Sequence, residues 1–274
     1  MRIQHNITAM NSYRNYTNNA NKLSKNLEKL SSGYKINRAG DDAAGLAISE
    51  KMRSQITGLD AAQKNVKDGI SLIKTAEGAL QEVHDMLNRM TYLATQSANG
   101  TYDDDVDRAN LQEEVASLRT EIDRIANASN FNGKKLLEGT LTTALELQIG
   151  DTAESFDKMS VAISSMGATG LAISAISIGT QSSAAAAISA IKTAINTVST
   201  TRGNLGALQN RLEHTTNNLG VMKENIQDAE STIRDTDVAD EMTQYTKNNI
   251  LLQSAQAMLA QANQMPQGVL QLLQ

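Results

Sequence analysis

Apolar side chains recur every seven residues along most of this chain, and the repeat divides into four helical ladders. The first interleaves Ala9, Tyr16, Leu23 and Leu30 with Tyr13, Ala20, Leu27 and Tyr34, the a and d spacing of a coiled-coil seam. Gly33 and the stretch Ala39-Gly40-Asp41-Asp42 interrupt it, supplying turn geometry and a cap for the next helix. The second ladder runs through Met52, Leu59, Val66, Ile73, Leu80, Leu87 and Ala94, flanked by Ala62, Ala76, Val83 and Met90, and should stop near Asn99-Gly100. A shorter helix is predicted from about Asp105 to Ala128, where Leu111, Val115, Leu118, Ile122 and Ile125 stand three and four apart.

The C-terminal half repeats the long pattern in Ile191, Val198, Leu205, Leu212, Leu219, Ile226 and Ile233, with Ala194, Leu208, Met222 and Ala229 alongside. Its register slips through Arg234-Asp235-Thr236-Asp237, then resumes at Tyr245, Leu252 and Leu259. At 1.5 Å per residue each long ladder spans about 63 Å, so the two halves can lie side by side. The order short, long, long, short predicts a mainly α fold. Its N- and C-terminal halves would make a long coiled-coil helical rod whose two ends meet at one pole.

The middle of the chain changes period. Leu145, Leu147 and Ile149 alternate with polar residues, as do Met159, Val161 and Ile163, with Gly150-Asp151 between the runs, so residues 139–183 read as a small β-hairpin region at the far pole. The Gly-, Ser-, Thr- and Ala-rich stretch to Ser183 reads as a surface loop or second hairpin whose hydroxyls could carry O-linked sugar.

The two ends are short of charge. Asn248 to Gln274 contains no Asp, Glu, Lys, Arg or His, and ten of its 27 residues are Asn or Gln; between Ile3 and Asn21 the only basic side chains are His5 and Arg14. The tail is too amide-rich to span a bilayer and, at Leu251, Leu252, Leu259, Val269, Leu270, Leu272 and Leu273, too apolar to remain solvated. Mutual burial of the two ends is the expectation. Aromatic residues are 3% of the chain, which has no Trp and one proline, Pro266, so the core must be aliphatic helix-on-helix packing.

A net charge of −5 with no basic stripe argues against nucleic acid as a partner. Zero cysteines exclude disulfides, thiolate chemistry and Cys-ligated zinc. The opening MRIQHNITAM has no apolar run suited to a signal peptide, so export would use another route. His5, His84 and His214 lack zinc-ligand spacing, and Gly40-Asp41-Asp42-Ala43-Ala44-Gly45 lacks the Lys-Ser/Thr of a phosphate loop. Asp103-Asp104-Asp105 reads as an acidic helix cap, since the alternating ligands of a calcium loop are missing. We therefore expect no catalytic, cofactor-binding or metal residues, no cofactor, and no enzyme.

Long strings then supply a family. LEKLSSGYKINRAGDDAAGLAISEKM at Leu27 to Met52, DGISLIKTAEGAL at Asp68 to Leu80, FNGKKLL at Phe131 to Leu137, NRLEHTTNNL at Asn210 to Leu219 and the closing NNILLQSAQAMLAQANQMPQGVLQLL resemble bacterial flagellin, across roughly residues 1–140 and 184–274. The resemblance implies a structural subunit that polymerises with itself into the extracellular flagellar filament for motility, in a short form lacking the outer insert domains. It implies terminal segments 1–42 and 236–274 pairing as an inner coiled-coil domain and a rod domain over 43–235.

Also implied are unfolded export by a flagellar type III apparatus, folding on assembly, a chaperone wrapping about Asp235 to Gln274, junction and cap proteins as partners, and no membrane insertion. The assembly seam would use Tyr13, Leu23, Leu27, Leu30, Leu252 and Leu259. A contact for Toll-like receptor 5 aligns with Leu87 to Ala94, where Arg89, Leu93 and Glu114 match the stimulatory pattern and Tyr92 stands in place of a Glu. A hook-filament junction protein of the same superfamily would share the terminal coils but should lack the full GDDAAGLAISEKM and LAQANQ strings. A signalling coiled coil fits the ladders alone, and would need a transmembrane stretch that this sequence lacks. A flagellin carrying a protease insert would need an HExxH motif and a longer middle region.

Overall fold

A computed structural model describes residues 5–139 and 145–272. The predicted burial of Val269, Leu270, Leu272 and Leu273 falls outside the side chains it describes. The chain is mainly α-helical: α1 (Ile7–Ser32), α2 (Ala43–Ser97), α3 (Asp107–Ala128), α4 (Gln181–Arg234) and α5 (Val238–Leu272), with strands β1 (Asn130–Phe131), β2 (Lys134–Lys135), β3 (Leu145–Gln148) and β4 (Lys158–Val161) between α3 and α4. Two compact units form, Met1–Ile56 with Glu224–Gln274, and Thr57–Lys223.

The larger unit has an aliphatic core. On α2 the heptad positions Leu59, Val66, Ile73, Leu80, Leu87 and Ala94 are all buried, as are the flanking Ala62, Ala76, Val83 and Met90. On α4 one line of the ladder is buried at Ile191, Val198, Leu205, Leu212 and Leu219, whereas the flanking line is buried at Ala194, half-buried at Leu208 and exposed at Met222. Asp60 on α2 accepts from Lys223 on α4 at 2.7 Å and from Lys64 one turn on at 2.8 Å, and these hydrogen bonds hold its carboxyl down at about 2.

Helix α2 ends at Ser97, as the Asn99-Gly100 pair predicts, and its last carbonyls are satisfied by a side chain from α3. Arg108, 4% exposed, donates from Nε to the Ser97 carbonyl and from Nη2 to the Asn99 carbonyl, each at 2.8 Å, while Nη1 pairs with Asp104. The acidic run therefore does not cap α3 as expected. Val106 stands at the N-cap with no side-chain bond, and Asp104 instead neutralises the arginine that closes α2.

Strands β3 and β4 pair antiparallel with Leu145 opposite Val161 and Leu147 opposite Met159, the hairpin that alternation predicts. The hairpin lies close on α2, where a Cβ on Gly69 would meet Leu147 Cδ1 at 2.6 Å and one on Gly58 would meet Asp151 Cβ at 2.8 Å. A second hairpin, β1–β2, turns through Asn132 and Gly133 at φ 50° and 78°, both positive as a two-residue type I′ turn requires.

Residues 162–180 are neither a surface loop nor a second hairpin. They contain no strand, yet Ile163, Met166, Ala168, Leu171, Ile173 and Ile178 are buried. Their backbone groups need partners once inside, and α3 supplies them: Asp123 accepts from the Ala168 amide at 2.7 Å, Gln112 accepts from the Ile178 amide at 2.6 Å, and Arg119 donates to the Ser174 carbonyl at 2.6 Å.

Within the smaller unit, Asp42 and Asp237 cap α2 and α5. Asp42 accepts from the Ala44 and Gly45 amides at 3.1 and 2.9 Å, and Asp237 from the Ala239 and Asp240 amides at 2.8 and 3.2 Å. The two helix breaks meet there. Tyr34 bridges Asp235, the Lys35 amide donates to the Arg234 carbonyl at 2.6 Å, the Thr236 amide to the Gly33 carbonyl at 2.9 Å, and the Arg234 guanidinium lies 4.8 Å from the Tyr34 ring centre.

Candidate assembly face

Helix α1 begins at Asn6, whose side chain accepts from the Ala9 amide at 3.1 Å, and ends at Gly33, which takes the left-handed conformation (φ 75°) and donates to the Lys29 carbonyl. It runs antiparallel to α5. Asn6 donates to the Ala262 carbonyl at 2.7 Å, and Lys29 lies 3.6 Å from Glu241 at the other end. Between them the Asn26 amide, oriented as its neighbours demand, donates to the Lys22 carbonyl at 2.7 Å and accepts from Asn248 at 3.3 Å.

The inner line of α5 is Glu241, Asn248, Ala255 and Ala262, all buried, alternating with the half-buried Tyr245, Leu252 and Leu259. On α1 the half-buried Ala9, Tyr16, Leu23 and Leu30 form one inner line as predicted. The other inner line is Ser12, Asn19 and Asn26, each one residue before the predicted Tyr13, Ala20 and Leu27. Tyr13 and Leu27 are 62% and 49% exposed, so they lie outside this intramolecular seam.

The reason lies in what α5 offers. Its buried positions carry a carboxylate, an amide and small alanines rather than large apolar groups, and Asn26 pairs with Asn248 while Leu27 stays outside. The available sequence signal was a line of small polar residues seven apart, Ser12, Asn19 and Asn26, since even a single buried Asn fixes register in coiled coils.

The leftover apolar groups stay outside the seam. Ile7, Met10, Tyr13 and Leu27 on α1, with Ile250, Leu251, Met258 and Met265 on α5, are all exposed. So many large apolar side chains exposed on one helix pair suit it to further protein contacts.

The second predicted site falls in the larger unit. Arg89 on α2 donates to Glu114 on α3 at 2.7 Å, lies 5.3 Å from the Tyr92 ring centre, and is held above its usual basicity by that bond. Arg89 and Tyr92 are exposed and Glu114 half-buried, but Leu93 is 1% exposed and belongs to the core. The structure thus joins Arg89 to Glu114 and leaves Leu93 no outward surface. Among the described residues no group of His, Asp or Glu could hold a metal ion, and no helix is long and apolar enough to cross a membrane.

Residues 3–142 match the bacterial flagellin N-terminal helical region, and residues 188–273 match the bacterial flagellin C-terminal helical region. The chain belongs to the bacterial flagellin family. The flagellin of Bacillus subtilis strain 168 is 51% identical over 305 aligned residues, and that of Halalkalibacterium halodurans 53% identical over 273, each alignment covering all of both chains. The crystal structure of Bacillus cereus flagellin shares 32% identity at a TM-score of 0.51, covering 57% of this chain and 88% of that one. This protein is accordingly a structural subunit of the flagellar filament, in a short form without large inserts between the two matched regions. It polymerises with copies of itself.

Proposed function

We propose that the terminal helices complete their folding only where neighbouring subunits cover them. The observation that carries this is the set of large apolar side chains left exposed outside an amide-rich seam, Tyr13 and Leu27 on α1 and Leu251 and Met258 on α5. Folding a pair of helices fixes chain entropy of about 1–2 kcal/mol per residue, and a seam of Asn, Ala and half-buried Leu offsets less of it than a closed aliphatic core. A helical lattice supplies the missing burial by repeating one heterologous contact.

In this reading residues 1–42 and 236–274 are an inner coiled-coil domain and 43–235 a rod domain. Leu23, Leu30, Leu252 and Leu259 hold the pair together while Tyr13 and Leu27 contact neighbouring subunits. The chain leaves the cell unfolded through the flagellar type III apparatus and acts outside it. Before export a chaperone wraps residues from about Asp235 to Gln274, whose exposed Ile250, Leu251 and Met258 suit such a partner. Junction and cap proteins bind the same kind of terminal surface at the filament's two ends. We assign no catalytic role.

Seeded polymerisation of purified full-length chain, beside a truncation ending at Asp240, tests the assembly reading. Full-length protein should extend seeds and the truncation should not; normal filaments from the truncated chain would contradict the assignment. The Arg89–Glu114 pair is also proposed as the accessible part of a Toll-like receptor 5 contact, with Leu93 acting only by packing beneath it. In receptor-reporter cells Arg89→Ala should lower signalling and Tyr92→Glu should raise it, and unchanged signalling in both would remove that contact.

A further inference from the structure

Two Asn-Gly pairs lie at exposed turns of the larger unit, Asn99-Gly100 after α2 and Asn132-Gly133 between β1 and β2. Glycine lacks the Cβ that shields a backbone nitrogen, so such pairs are open to attack of that nitrogen on the preceding side-chain amide. We propose that Asn132 is a spontaneous deamidation site of the folded protein and that Asn99 is protected. Both are the same dipeptide. Their surroundings differ.

Asn132 sits at the tip of a hairpin whose strands are two residues each, and three of those four strand residues are exposed. Opening so short a hairpin uncovers little surface and breaks few bonds. A Cβ on Gly133 would meet nothing within 4 Å beyond its chain neighbours, so no other element packs against that glycine. Asn99, by contrast, is held at both ends of its backbone. Its amide donates to the Gln96 carbonyl at 3.2 Å, and its carbonyl accepts from Arg108 Nη2 at 2.8 Å. Arg108 is itself buried and anchored to the Ser97 carbonyl and Asp104, so the rotation that would bring Gly100 nitrogen onto the Asn99 side chain must break a charge-assisted bond.

In the reaction the Gly133 nitrogen forms a bond to Cγ of Asn132 and gives its proton to water. The Cγ–Nδ2 bond breaks and ammonia leaves. Water then opens the resulting five-membered imide at either carbonyl, giving aspartate or isoaspartate; one water is consumed and one ammonia released. Either product puts a carboxylate beside Lys134, on the groove that Asp68 and Glu146 also line. Isoaspartate additionally lengthens the backbone by a methylene, which a two-residue turn cannot absorb without losing its register.

The test is incubation of the purified full chain in mildly alkaline buffer, with peptide mapping by mass spectrometry and enzymatic labelling of isoaspartate, in native buffer and in denaturant. Native protein should convert Asn132 about tenfold faster than Asn99, the ratio expected for one extra hydrogen bond to break. In denaturant the two should convert at comparable rates, and Asn132→Gln should remove the native signal. Equal native rates, faster conversion at Asn99, or an intact Asn132 in native protein that converts readily in denaturant would each overturn the proposal.

Discussion

The larger unit and the terminal helix pair use the same heptad spacing to opposite ends. Around α2, heptad positions from Leu59 to Ala94 are closed off from solvent by this chain alone. Between α1 and α5 the same spacing buries Asn26, Asn248, Ala255 and Ala262 and leaves Tyr13, Leu27 and Met258 outside. One region is finished within the monomer. The other pairs Asn26 with Asn248 and leaves several large apolar groups exposed, which the proposed folding on assembly would cover.

The contrast should break most sharply in the finished region. Leu80→Ala or Leu87→Ala removes a fully buried side chain and should cost about 2–5 kcal/mol in urea unfolding of the monomer. Arg108→Met should come next, at about 1–3 kcal/mol, because the Ser97 and Asn99 carbonyls lose their donor; the same urea titration reads it. At the terminal pair, Asn26→Ala should lower helix content measured by circular dichroism by the equivalent of about 1 kcal/mol, leaving Asn248 without its partner. Asn26→Leu with Asn248→Leu should raise helix content while slowing filament growth, since register is no longer specified.

Smaller still is Leu27→Asp. It should leave monomer stability within about 0.5 kcal/mol, because Leu27 lies outside the intramolecular seam, yet abolish extension of seeds. Acid provides a final probe of the finished region. Lys223 and Lys64 depress the Asp60 carboxyl to about 2, so its contribution is complete above the ordinary carboxylate range and disappears as pH falls through about 2. Carbon-13 NMR titration of Asp60 should give that low midpoint, and Lys223→Met should return it toward the ordinary range.

Much of this was legible from spacing. The long helices, the cap at Asp42 and the β3–β4 alternation follow from local rules, because each is decided by residues a few positions apart. What periodicity could not decide was which side of a ladder faces the partner. Ser12 and Tyr13 stand almost equally close to Tyr16 on a helix, and only α5's buried Asn248 and alanines favour the line of Ser12, Asn19 and Asn26. Asn132-Gly133 carried a readable turn signal that was hidden among flanking charges. The burial of residues 162–180 was not readable, since it rests on Gln112, Arg119 and Asp123 reaching across from α3 to satisfy a strandless backbone.

Amide hydrogen exchange on monomer and filament, compared helix by helix, tests most directly whether the terminal pair is finished only by assembly. Helices α1 and α5 should exchange rapidly in the monomer and become protected in the filament, while α2 from Leu59 to Ala94 is protected in both. Protection of α1 and α5 in the monomer equal to that of α2 would contradict it.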